Sequence, residues 1–439
     1  NNVDRKDDIK GIVTSDVFNV PVKAFFTSSA LAQQSNQTNP MDIIGGFLRT
    51  TIMGTGGIQS EQAIGFSAKL NDSSQLGFVD AVHTPEGSKS GISTHLTLGL
   101  RKDGHNPEIR VYSTKEKKWV FKNPTQLAEG NIGFPDEYTM DKGKPPVPRN
   151  KRVSVIPTGG GDVASVDPKD VDFILQSTKA LYSITANMIP FLPSNQANRA
   201  GMATRHLEQA ISMVEREAPL VQTVSGHPDA DLRTWEKVVG KFVSFRSPVD
   251  GDVLSVGADK IVVEGKDGAK HDVQIYDNFP LNEKKAFMLS DPLVKKGDKV
   301  TKGQVIADTN FTKNGTLAMG KNLRVGYLSI PETFEDGIVI SEAAAHATRS
   351  THLHKERGYL EKNMVVGLKK FRANYPGEVS EENAGKLDED GVIKKGQIVS
   401  PGDTIVTMLQ KVEPSKEQIL LRGIHRSLVR PYKNKSVTW

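Results

Sequence analysis

A chain of 439 residues with 37% hydrophobic side chains exceeds a single typical domain and carries enough apolar material for several cores. Its 57 Lys and Arg against 52 Asp and Glu leave a formal charge of +5, which permits a polyanionic partner without selecting one. There is no cysteine, which excludes disulfides and thiolate zinc sites, and no apolar run approaches the roughly 20 residues of a membrane-spanning helix. Asn1-Asn-Val-Asp-Arg-Lys is not a signal peptide, so an intracellular, cytoplasmic protein is expected.

Residues 1 to about 100 are expected to mix short helices with glycine turns at Gly45-Gly46 and from Gly54 to Gly57. A strand-rich stretch follows, with alternating apolar positions in Glu108-Ile-Arg-Val-Tyr112, and Pro145-Pro-Val-Pro148 reads as a stiff extended connector. Val171, Ile174, Leu175, Leu181, Ile184 and Met188 stand at roughly helical spacing, which predicts a helix over 170–188. A second helix is predicted from about Gln196 through Glu217. From about 240 the pattern turns to β, and Val294-Lys-Lys-Gly-Asp-Lys-Val-Thr-Lys-Gly-Gln-Val-Ile306 aligns with Ile393-Lys-Lys-Gly-Gln-Ile-Val-Ser-Pro-Gly-Asp-Thr-Ile405. Both are short strands punctuated by glycine turns six apart. Biotinyl and lipoyl carrier domains share that pattern, so a carrier component of a metabolic enzyme is a rival reading. Neither the Met-Lys-Met nor the Asp-Lys-Ala tripeptide of such carriers occurs.

Two segments point to chemistry. Phe191-Leu-Pro-Ser-Asn-Gln-Ala-Asn-Arg-Ala-Gly-Met202 strings amides and Arg199 across a helix entry, and Thr333-Phe-Glu-Asp-Gly-Ile-Val-Ile-Ser341 sets Glu335 and Asp336 before a predicted strand. On spacing alone that carboxylate pair also reads as a solvated turn, and Arg199 as an exposed helix-start arginine. With Phe25-Phe-Thr-Ser-Ser-Ala-Leu-Ala-Gln33, Gln37-Thr-Asn-Pro40, Gly54-Thr-Gly-Gly57, Thr84-Pro-Glu-Gly87, Glu217-Ala-Pro-Leu-Val221 and Asn314-Gly-Thr-Leu-Ala-Met-Gly-Lys-Asn322 in this order, the chain resembles the β subunit of multisubunit, DNA-dependent RNA polymerases.

The resemblance implies a mixed α+β, multidomain fold. Residues 1–100 form the RNA-side cleft and fork region, and 101–159 a strand-rich connector. Residues 160–236 and 313–350 form two parts of a double-psi β-barrel, interrupted by a sandwich-barrel hybrid domain at 237–312 and followed by an incomplete flap-like β domain at 351–439. The family's two preceding lobes and its terminal Lys/His/Gly-rich segment have no counterpart here. A split subunit of a large bacteriophage polymerase is the leading expectation, located in the host cytoplasm or the virion, with a fragment of a cellular subunit as the alternative.

The resemblance also implies roles. Arg199 contacts the incoming triphosphate, while Glu335 and Asp336 help hold a second Mg2+. The principal Mg2+ belongs to a β′-like partner, because the Asp-Phe-Asp-Gly-Asp triad is absent; no zinc is expected in this chain. Gln33, Asn36, Gln37, Asn39 and Arg49 border the transcript, Glu86 and Lys89 fall near the downstream fork, and Arg205 extends the basic surface. His83 stands where the family generally has glutamate, and Glu208 where it has a basic residue, so the contacts made there in the family are expected to be lost. Further partners are the remaining β-like chain, a promoter-specificity subunit, template DNA, RNA and nucleoside triphosphates, with activity only in the assembled complex. His352 and His354, two apart, form a metal pair only with a third ligand.

Overall fold

Strands form here where alternating apolar residues find a neighbour to pair with. Asn106–Ser113, which contains the expected Glu108–Tyr112 strand, is the hub of a seven-stranded sheet, flanked by Leu100–Asp103, Lys118–Lys122 and Phe173–Leu175. The sheet continues through Ile132–Gly133, Val153–Ile156 and Ala164–Val166. Its two faces bury separate clusters, Ile109, Val111, Leu127 and Ile132 in one and Tyr112, Tyr138, Val153 and Val155 in the other, as side-chain alternation requires. The computed structural model describes residues 16–28, 34–54, 56–70, 72, 75–141, 143–159, 162–282, 285–413 and 431–439. They fall into two compact units, Asn1–Leu353 and His354–Trp439. No helix among the described residues is long and apolar enough to cross a membrane.

Several expected elements differ. The helix expected over 170–188 is instead a strand, Phe173–Leu175, a 3-10 turn, Thr178–Leu181, and a short helix, Ile184–Asn187. Ser177 and Ser183 each accept a backbone N–H with their hydroxyls and restart the chain, while Ile174 and Leu175 pair with Tyr112 and Val111. The next helix, Ala197–Gln209, stops short of Glu217. Gly45 and Gly46 lie inside the Pro40–Leu48 helix, not in a turn. Val147–Pro148 pairs with Tyr138–Thr139 and so closes a hairpin rather than a free connector. Residues 338–340 form no strand: Ile338, Val339 and Ile340 are exposed and no described strand pairs with them.

From 245 to 309 the first unit turns to antiparallel β. Lys270–Gln274, Lys260–Gly265, Gly251–Val256 and Lys299–Val300 make one sheet, and Phe245–Arg246, Val305–Thr309 and Ser290–Pro292 another. Val253, Ile261, Val263, Val300 and Ile306 form their core. The repeated segments share their turn geometry. Gly297, Gly303, Gly396 and Gly402 have φ of 93°, 85°, 87° and 92°. Each is the third residue of a turn closed by an N–H from the residue after it, as in Asp298 to Lys295 and Asp403 to Ser400. Only glycine takes that conformation without strain, so it fixes the spacing. The second unit packs the helices Leu368–Asn374 and Glu381–Lys386 against Met364–Val366, Met408–Lys411 and Tyr432–Asn434, around Phe371, Leu387 and Leu409.

Candidate nucleic-acid interface

The site grows from the Ala197–Gln209 helix. Ala200, Gly201, Thr204 and Glu208 recur at helical spacing and are its buried face, while Arg199 points to solvent, its only described side-chain contact being the sulfur of Met202 at 3.4 Å. A β-carbon on Gly201 would stand 3.0 Å from the carbonyl of Val82, so glycine lets the helix lie against the 82–84 loop. Its far end is held by Asn39. That amide donates to the carbonyls of Leu207, Glu208 and Ala210, and its oxygen accepts the N–H groups of Met41 and Asp42 at the start of the Pro40–Leu48 helix. Asn39 is 0% exposed, so the RNA contact expected of it is corrected: it is a buried cap joining two helices.

A cavity of about 900 Å³ opens beside this junction, lined by Asn36, Arg49, Lys89 and Arg205 among others. Asn36 and Arg49, expected to border the transcript, thus share one hollow with Lys89, expected near the fork, and Arg205, expected on the basic surface. Gln37 is half-buried and does not line it, and Gln33 lies outside the described residues. Two of the three cations are engaged: Lys89 pairs with Glu61 at 2.8 Å and Arg205 with Glu86 at 2.5 Å. Glu86 thus orients Arg205 rather than standing free. Arg49, on the Arg49–Thr51 strand directly across from His95, makes no ion pair among the described residues and is exposed.

Between helix and cavity lies a trio that sequence spacing did not bring together. His83 Nε2 stands 3.2 Å from Oε1 of Glu208, at an angle unfavourable for a hydrogen bond, and the His83 and His95 rings stack at 3.5 Å and 8°. His83 and Glu208, each standing where the resemblance implies a different residue, thus face one another. Asp80, fully buried, accepts the N–H groups of Val82, His83 and Ser183 and so sets the loop, and Nδ1 of His83 lies 3.0 Å from the Ser183 hydroxyl. Burial, with the neighbouring His83, pushes His95 down to about 4, so its ring is neutral near pH 7.

A second junction joins two of the motifs. Glu217 accepts from Lys321 at 2.7 Å and from both the side chain and the backbone N–H of Asn322, and these bonds hold its carboxyl at about 2. Neither Lys321 nor Asn322 was singled out from sequence, though both lie in the Asn314–Asn322 motif. Glu335 and Asp336 sit in a turn closed by the N–H of Gly337 to the carbonyl of Phe334. Glu335 has φ of 52°, unusual for a side chain with a β-carbon, and both carboxylates are exposed without a hydrogen bond or ion pair among the described residues. Arg199, Glu335 and Asp336 do not line the cavity.

Residues 33–101 match the family model for RNA polymerase Rpb2, domain 3, and residues 248–439 that for RNA polymerase Rpb2, domain 6. The chain is 30% identical over 434 residues to the DNA-directed RNA polymerase subunit beta of Thermus thermophilus, covering 97% of this chain and 37% of that protein. It is 29% identical over 442 residues to the subunit of the same name from Mycoplasmopsis pulmonis, covering 98% of this chain and 35% of the relative. The chain thus spans little more than a third of the length of these relatives.

Proposed function

Because this chain belongs to the Rpb2 or β family of RNA polymerase subunits, we propose that it serves as a β-like core subunit, or part of one, in a multisubunit DNA-directed RNA polymerase. The observation that carries this reading is the collinear match over 97% of the chain, in which the domain 3 segment supplies most walls of the cavity. The carrier-domain reading has no support in these matches.

In this reading the hollow bordered by Asn36 and Arg49 grips the transcript through phosphate and sugar, independent of sequence. Arg199 offers a permanently charged planar fork to the triphosphate. Glu335 and Asp336 have four carboxylate oxygens free for water-bridged Mg2+, and the left-handed backbone at Glu335 is the kind of local strain found at ligand sites. Magnesium, when bound, supplies charge neutralisation for phosphoryl transfer. The chain's residues orient the nucleotide, and a β′-like partner provides the principal ligands. Tyr327, Leu328, Phe334 and Ile338, each at least 76% exposed, give a partner an apolar strip to cover. The barrel, hybrid and flap-like assignments of 160–236 with 313–350, 237–312 and 351–439 belong to the same proposal.

Reconstitution with β′-like and complementary β-like chains tests it on a primed RNA–DNA scaffold. The chain alone is expected to add no nucleotide, and the complex to elongate. Arg199→Ala raises the nucleotide KM, and Glu335→Ala with Asp336→Ala shifts the magnesium dependence. Robust synthesis by the isolated chain, or a correctly assembled complex that does not elongate, overturns the function; wild-type kinetics in both variants overturn the site assignment alone.

A further inference from the structure

We infer that His83, His95 and Glu208 form a binding site for one divalent transition-metal ion of zinc's type, tying the Ala197–Gln209 helix to the Ser93–Leu96 strand and the 82–84 loop. The site stands apart from the polymerase reading and from the magnesium sites, since its donors are imidazole and carboxylate. It departs from the expectation of no zinc, which rested on missing thiolates.

The three donor atoms lie within 4.8 Å of one another, and all three residues are buried. Nε2 of His95 has no hydrogen-bond partner among the described residues although the residue is only 5% exposed. A buried ring nitrogen without a partner is costly, and an ion supplies one. The opposite edges of both rings are already held. Nδ1 of His95 lies 3.0 Å from the His83 carbonyl, which requires it to carry the proton and leaves Nε2 with its lone pair inward; Nδ1 of His83 lies beside Ser183. That outer hydrogen bonding is what fixes a ligating tautomer. The 3.2 Å between His83 Nε2 and Glu208 Oε1 fits one edge of a tetrahedron, since bonds of about 2.0–2.2 Å put donors roughly 3.4 Å apart. The stacked rings must splay to share an ion, because a metal lies in the plane of each imidazole it binds. The adjoining cavity gives the ion an entry path and leaves room for water as fourth ligand.

The test is titration of the untagged, chelator-stripped full chain with ZnCl2 against a chromophoric chelator, and with CoCl2 followed by visible absorption. One equivalent is expected to bind, with cobalt giving the intense bands of a tetrahedral site. Loss of a ligand in His95→Ala or Glu208→Gln weakens affinity at least about 10-fold, and Ser183→Ala, which removes no ligand, only the outer hydrogen bond to His83 together with the cap on the Ala186 N–H, about 10-fold. His105→Ala, at an exposed turn, leaves binding unchanged. Ser183→Ala and the wild-type cobalt spectrum keep the test decisive if a ligand variant misfolds. Absence of tight stoichiometric binding, octahedral-type cobalt spectra, or undiminished affinity in well-folded His95→Ala overturns the inference and leaves the trio as a packed histidine stack beside a carboxylate.

Discussion

Asn39 shows how much one side chain can organise. Its amide satisfies three carbonyls at the end of one helix and two N–H groups at the start of another, all buried or partly buried. Asn39→Ala removes a cap and strands several buried polar groups, so unfolding free energy measured by denaturant titration is expected to fall by about 2 kcal/mol or more. Glu217 makes a pH-dependent contribution. Its folded pKa, about 2, lies below the ordinary 4.5, so its stabilisation is full above that ordinary value and is lost as pH falls towards 2. The difference in Tm between wild type and Glu217→Gln is therefore expected to be greatest above pH 5 and to shrink towards zero near pH 2.

Among elements, two glycines in helices make opposite predictions. A β-carbon on Gly240, in the Trp235–Val243 helix, would stand 2.2 Å from the carbonyl of Gly315, whereas one on Gly46 meets nothing within 4 Å. Gly46→Ala is expected to raise stability by about 0.5–1 kcal/mol through helix propensity, and Gly240→Ala to lower it despite the same gain; thermal denaturation of the pair checks both. Sequence reads such things unevenly. The strand around Glu108–Tyr112 and the repeated glycine turns were legible because alternation and left-handed φ are local properties. The segment 170–188 was misread because Ile174, Leu175 and Ile184 satisfy helical spacing equally well from a strand, a turn and a short helix. Asn36, Arg49, Lys89 and Arg205 were named through resemblance and do share a cavity, but the His83, His95 and Glu208 cluster depends on tertiary contact that no spacing encodes. The pair flagged by spacing, His352 and His354, gains no third ligand among the described residues.

At the scale of the molecule, His354–Trp439 has its own core around Phe371, Leu387 and Leu409, and the Tyr375 hydroxyl donates to the Tyr432 carbonyl at 2.8 Å across it. Expressed alone, this segment is expected to unfold cooperatively, with near-ultraviolet circular dichroism lost in one thermal transition. The contact between His83 and Glu208 has a different reach, into descent. The family resemblance implies glutamate at position 83 and a basic residue at 208; if those two also face each other in the ancestor, as His83 and Glu208 do here, neither position could change first without leaving two acids or two bases face to face in a buried place. On that premise the two substitutions travel together or through a neutral intermediate. A chimaera that imports residues 33–101 from a bacterial relative therefore inherits an acid against Glu208, and is expected to fold well only when the Ala197–Gln209 helix is exchanged along with it.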